Sequence, residues 1–98
     1  MLKLLIRSKV CDIMIMAICD DCAAAAQELK SNIESICAKK DWPLKTTVYT
    51  SPAAILQADL SKTQVVFLDI DMPQINGLEV AEQLRAKFPE IIIVFVTS

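Results

Sequence analysis

The sequence predicts an α/β domain built as a doubly wound parallel sheet. Three observations predict it. Continuous apolar runs recur at 13–19, 65–68 and 91–96, as expected of strands buried on both faces. Between them lie stretches with helical spacing, joined by short connections, which imply parallel pairing and right-handed crossovers. The first two apolar runs stop abruptly in acids, Asp20-Asp21 and Asp69, and the third in Thr97-Ser98. Open α/β sheets present reactive groups at such strand tips.

Taken in order, residues 1–12 are left unassigned as an N-terminal extension; Met1 to Arg7 fit a short strand, a helical turn or an extension outside the fold. Ile13 to Cys19 is the first strand. From Cys22 to about Lys40 the period becomes helical, with Leu29, Ile33, Ile36 and Cys37 at three- and four-residue spacing. The alanines at 23–26 favour a helix that lies close on a sheet, and Asp20 and Asp21 suit its N-terminal dipole. Asp41-Trp42-Pro43 breaks it. Lys45 to Thr50 is rich in threonine, valine and tyrosine yet polar, which suits an edge strand. Ser51-Pro52 supplies an N-cap and a first-turn proline, predicting a short helix to about Leu60. Val65 to Asp69 is the central strand. Pro73 interrupts the chain after it, and a helix is expected over Asn76 to Lys87, with Leu78, Val80, Ala81 and Leu84 facing inward and Pro89 ending it. Ile91 to Val96 closes the series β-α-β-α-β-α-β.

Length and composition narrow the function. The chain has 98 residues, enough for one small domain, and is 54% hydrophobic with a net charge of −2. The hydrophobic content argues for a packed globule. The charge lacks the basic footprint of a nucleic-acid binder. Ile13 to Cys19 is far short of the roughly 20 residues that span a bilayer, and the acids that follow it disfavour a signal peptide. Four cysteines without a secretion signal point to free thiols in a reducing cytoplasm. The absence of histidine removes Ser/His and Cys/His catalytic pairs and most zinc sites.

A parallel sheet puts all strand C-termini on one edge, so Asp20, Asp21, Asp69, Asp71 and Thr97 are expected to converge there. Converging carboxylates need a cation, and oxygen ligands without His or Cys suit Mg²⁺ or Mn²⁺. A carboxylate beside such a metal can act as a nucleophile and form an aspartyl-phosphate. Cys19-Asp20-Asp21-Cys22 has the spacing of a redox C-x-x-C, but two carboxylates between the thiols oppose thiolate formation. Cys37 reads as a core helix residue and Trp42 as packing at a helix end.

Ile18-Cys19-Asp20-Asp21, then Phe67-Leu68-Asp69-Ile70-Asp71-Met72-Pro73 with Asn76-Gly77-Leu78-Glu79, then Phe95-Val96-Thr97-Ser98 resemble the receiver domain of bacterial two-component response regulators. The wording is similar to receivers that precede LytTR-type DNA-binding domains. The resemblance covers 13–98 and implies a flavodoxin-like, CheY-like fold with strand order 2-1-3-4. It implies Asp69 as phosphoacceptor and Asp21 as direct Mg²⁺ ligand. Asp20 would reach the metal through water, Asp71 would ligate through its backbone carbonyl, and Thr97 would be the switch hydroxyl. Pro73 and Gly77 would shape the rim. The implied partner is a sensor histidine kinase, the implied output transcription, and the implied role a switch that is not an enzyme.

A receiver of this kind continues beyond the fourth strand, with a further strand carrying a lysine and two further helices; the resemblance ends before them. A receiver cut short there is expected to leave apolar surface that favours a homodimer or other self-association. No direct nucleic-acid contact and no membrane contact is expected of the segment. Two rival readings stand beside the receiver. One is a Mg²⁺-dependent phosphatase or hydrolase using the Asp69-x-Asp71 pair, and the other a degenerate receiver that dimerises without phosphorylation.

Overall fold

The structure is a computed structural model that describes residues 13–97; the unassigned segment 1–12 lies outside them. Strands β1 (Met14–Cys19), β2 (Leu44–Tyr49), β3 (Val65–Asp69) and β4 (Ile92–Val96) alternate with helices α1 (Ala23–Lys39), α2 (Pro52–Leu56) and α3 (Gly77–Lys87). The sheet is parallel throughout, in the order β2-β1-β3-β4. This is the expected order, with β2 at one edge.

Alternation along the strands divides the core between two faces. Ala17 and Cys19 of β1 and Val66 and Leu68 of β3 pack with Ile55 of α2 and Val80, Ala81 and Leu84 of α3. Leu68, Ile55, Val80 and Leu84 are fully buried, each contributing about 1.5–3 kcal/mol of hydrophobic stabilisation. The opposite face carries Met16, Ile18, Phe67 and Val94, with Ile18, Phe67 and Val94 level across the strands. Helix α1 packs on the β1–β2 half of that face.

Several expectations are corrected. Leu78 is exposed, not inward; the inward stripe of α3 runs Gly77, Val80, Ala81, Leu84, and Leu78 falls on its flank. Ile36 is also exposed, while Ala26 and Cys37 are the buried residues of α1. The helix after Ser51 ends at Leu56, short of the expected Leu60. Asp59 accepts a hydrogen bond from the Ser61 N–H (3.0 Å), which turns the chain, and Leu60 is buried from the loop. Trp42 is half exposed, with the Lys40 ammonium 5.5 Å above its ring.

Helix α1 ends in a Schellman motif. The Trp42 N–H donates to the Cys37 carbonyl (2.9 Å) and the Asp41 N–H to the Ala38 carbonyl (3.2 Å). The motif needs a left-handed residue, and Asp41 occupies it with φ of 56°. Glycine adopts this conformation without the Cβ penalty. Asp41→Gly is therefore expected to stabilise the fold by about 0.5–1 kcal/mol, read as a higher urea midpoint at unchanged m-value.

Candidate functional site

The site is assembled by the register of β1 on β3. Cys19 lies beside Leu68, so the next residues, Asp20 and Asp69, emerge together at the C-terminal edge. The Asp20 N–H donates to the Tyr49 carbonyl (3.1 Å), which continues the ladder toward β2 and holds the chain at that point. The Asp20 carboxylate then accepts from the Cys22 N–H (2.9 Å), turning the chain into α1. Asp21, between them, is exposed. One carboxylate oxygen from each of Asp20, Asp21 and Asp69 lies within 4.8 Å of the others.

Asp69 is the innermost of the three, only 5% exposed. One of its oxygens accepts from the Asp71 N–H (3.1 Å), which leaves the other for chemistry. Its carboxyl is pushed above the ordinary value of 3.8. Burial is the largest cause, Asp20 and Asp21 add to it, and the Asp71 N–H opposes it. The proton therefore stays on Asp69 more readily in the folded chain than in the unfolded one. This group's share of stability is greatest below 3.8 and falls as pH rises through the elevated folded value. A bound divalent cation offsets that loss. Mg²⁺ at ten times its Kd is expected to add about 1.4 kcal/mol near neutral pH, and nothing below 3.8, as read by thermal unfolding with and without the ion.

The donor set tests well for Mg²⁺: it is all oxygen, it converges, and its innermost member is destabilised as an anion by its neighbours. Beside it a shallow pocket of about 460 Å³ is lined by Asp21, Ile70, Asp71, Met72, Pro73 and Asn76. Its rim is fixed by the Gly77 N–H donating to the Ile70 carbonyl (3.0 Å) and the Leu78 N–H donating to the Asn76 side chain (2.7 Å). Gly77 has no room for a side chain. A Cβ there would sit 2.3 Å from the Asp69 carbonyl oxygen and 2.8 Å from the Ile70 Cα.

The structure brings together Asp20, Asp21 and Asp69. The Asp71 carboxylate is not in that cluster; its backbone is what meets Asp69. Thr97 lies one residue beyond β4 and is exposed. Sequence reasoning missed the sulfur floor beneath the acids. The Cys19 Sγ is buried 3.8 Å from the Met72 Sδ, and burial, then Asp20, Asp69 and Asp21, push its thiol up to about 12. That environment removes the redox reading of the C-x-x-C, and Cys19, Cys22 and Cys37 are all free.

A family model described as the response regulator receiver domain matches residues 16–98. The sensory transduction protein LytT of Oceanobacillus iheyensis is 56% identical over 36 residues. That stretch covers 35% of this chain and 15% of LytT, so the chain spans well under two thirds of that relative. Among solved structures, the response regulator TrrA of Thermotoga maritima, in complex with Mg²⁺ and BeF, superposes with a TM-score of 0.69 at 27% identity. The match covers 86% of this chain and 69% of TrrA. A CheY-like receiver domain from Methylobacillus flagellatus superposes with a TM-score of 0.72 at 26% identity, covering 88% of this chain and 70% of that one.

Proposed function

We propose a phosphoacceptor function for this chain, which belongs to the response regulator receiver domain family. Asp69 receives a phosphoryl group and so works a signalling switch. The observation that carries the reading is the meeting of three carboxylates at one strand edge with Asp69 innermost. The free oxygen of Asp69 attacks phosphorus in line, the bond from phosphorus to the donor breaks, and the leaving group departs with its electron pair. With a phosphohistidine donor the leaving group is the imidazole of a sensor histidine kinase. The Asp71 N–H orients the carboxylate by holding its other oxygen. Asp21, directly, and Asp20, through water, would hold Mg²⁺, joined by the carbonyl of Asp71. Bound there, the ion offsets charge on the transferring group. Thr97 offers a hydroxyl to a phosphoryl oxygen, which couples the event to β4.

The role is that of a switch, not of an enzyme that turns over substrate. The hydrolase alternative would place the Asp71 carboxylate against Asp69, where the chain instead places the Asp71 N–H. Membership of the receiver family favours a histidine kinase as partner, and likeness to a sensory transduction protein favours a signalling output; transcription, a cytoplasmic setting and a second copy of the chain complete the reading. No helix among the described residues is long and apolar enough to cross a membrane.

The test is incubation with Mg²⁺ and acetyl phosphate, followed by intact mass. One acid-type, hydroxylamine-labile phosphoryl group per chain is expected. No uptake, with no response to beryllofluoride, would favour the degenerate receiver. Asp21→Ala is expected to weaken Mg²⁺ binding at least tenfold, about 1.4 kcal/mol, with the fold retained because Asp21 is exposed; titration calorimetry reads it.

A further inference from the structure

The loop between β3 and α3 carries the Asp71 N–H that holds Asp69, and it lines the pocket beside the acids. Its backbone beyond Ile70 bonds only locally among the described residues. The Asp71 N–H donates back to the Asp69 carboxylate (3.1 Å) and the Met72 N–H to the Ile70 carbonyl (3.3 Å). Neither bond ties 71–75 to another element, so the tie must come from a side chain. Of residues 70–76, Met72 is the one that is buried, while Ile70 and Ile75 are half-buried. The Met72 side chain reaches back to β1, where its Sδ lies 3.8 Å from the Cys19 Sγ. Cys19 is fully buried and is the last residue of β1. Its Sγ also lies 3.7 Å from the carbonyl oxygen of Ser51, the N-cap of α2. The β1 tip, the start of α2 and the loop after β3 thus meet at one pair of sulfurs. Both sulfurs belong to the core cluster that includes Ile55, Leu68 and Val80, on the face that α2 and α3 cover.

We propose that Met72 and Cys19 are positioning residues for the acid site: Met72, seated on the Cys19 sulfur, fixes the backbone at Asp71 and so sets the affinity for the cation. This rests on the phosphoacceptor function above, in which the Asp71 N–H orients Asp69 and the Asp71 carbonyl joins Mg²⁺. Asp71 is held on both sides, by its own bond to Asp69 and by the burial of the next residue. Release of Met72 leaves only the local bond, and the peptide between Asp71 and Met72 is then free to turn. Cys19 acts at the same place from below. It directly precedes Asp20, so a shift of the sulfur pair moves one site residue on β1 and another on the loop. Neither sulfur ligates the ion, since Mg²⁺ takes oxygen. The contact itself is soft: a thiol is a weak donor, a thioether a weak acceptor, and both are polarizable and pack closely. Groups that hold a ligand in place without touching the metal change its affinity about tenfold to a hundredfold when removed.

The test uses the whole chain in reducing buffer, with Mg²⁺ titrated by calorimetry and stability read by urea unfolding. Met72→Ala is expected to weaken Mg²⁺ binding about tenfold or more, and Met72→Leu, which keeps the volume, to restore most of it. Cys19→Ala, which removes the sulfur alone, is expected to weaken binding less than Met72→Ala does. The double variant is expected to lose less affinity than the two single losses combined, because the pair acts as one. A readout without metal accompanies these: the Asp71 amide is expected to exchange with solvent severalfold faster in Met72→Ala than in the parent. Where Met72→Ala fails to fold, Cys19→Ala decides by the same two measurements. Variants that lose stability yet keep the parental Mg²⁺ affinity and the parental Asp71 exchange rate would be packing residues only, which overturns the proposal. Additive losses of affinity overturn the coupling of the two sulfurs. A parent chain that binds no Mg²⁺ overturns the phosphoacceptor function and this proposal together, whereas a binding parent with unaffected variants overturns this proposal alone.

Discussion

Replacing Asp69 with asparagine is expected to abolish phosphate uptake and leave the fold intact. Asparagine offers no anionic oxygen to attack phosphorus, and no other carboxylate is as well placed. Asp20 is engaged with the Cys22 N–H, and Asp21 stands exposed at the mouth. The asparagine carbonyl can still accept from the Asp71 N–H, so the local backbone keeps its bond. The substitution also removes the charge that burial and the neighbouring acids disfavour. Without metal, Asp69→Asn is therefore expected to be as stable as the parent or more so. Intact mass after acetyl phosphate and Mg²⁺ reads the first effect, and urea unfolding the second. Undiminished incorporation in Asp69→Asn would refute the assignment.

Gly77→Ala is expected to damage both stability and the site. The added Cβ would meet backbone atoms only: the Asp69 carbonyl oxygen at 2.3 Å, the Ile70 Cα at 2.8 Å and the Asp69 carbonyl carbon at 3.1 Å. No side chain is there to swing aside, so α3 must lift from the tip of β3. Overpacking of this kind costs about 1–3 kcal/mol, and in a domain of this size each kcal/mol lowers Tm by about 4–8 °C. The contact is with Asp69 itself, so Mg²⁺ affinity should fall along with Tm, unlike at a purely structural position. A Gly77→Ala chain with parental Tm and Mg²⁺ affinity would mean that the helix start yields freely.

The acids were legible because of where they stand. A run of strand length that stops in aspartate, read twice, places Asp20, Asp21 and Asp69 on one edge as soon as the strands are taken as parallel. The helix from Asn76 was legible too, with the Asn76 side chain capping it. What escaped was decided by neighbours distant in sequence. Leu78 and Ile36 have the spacing of inward residues, yet each sits on a helix flank that the described residues leave exposed. Helical period fixes which residues share a face, not how wide a stripe the sheet covers. Asp41 carries a left-handed cap that glycine would have announced. The need for glycine at 77 comes from close approach to another strand's end, with no unusual backbone angle to mark it. Asp71 is implied by the resemblance to act through its backbone carbonyl; what the fold adds is its amide, which holds Asp69.

Asp20 and Asp21 are brought to Asp69 only by the parallel pairing of β1 with β3, which joins segments about half the chain apart. An unfolded chain has no such corner to offer. A cation that bound this corner would therefore be thermodynamically linked to folding, and its concentration would be a lever on the unfolding equilibrium. Substitutions far from the acids that loosen the β1–β3 ladder will look, in a titration, like weakened ligands.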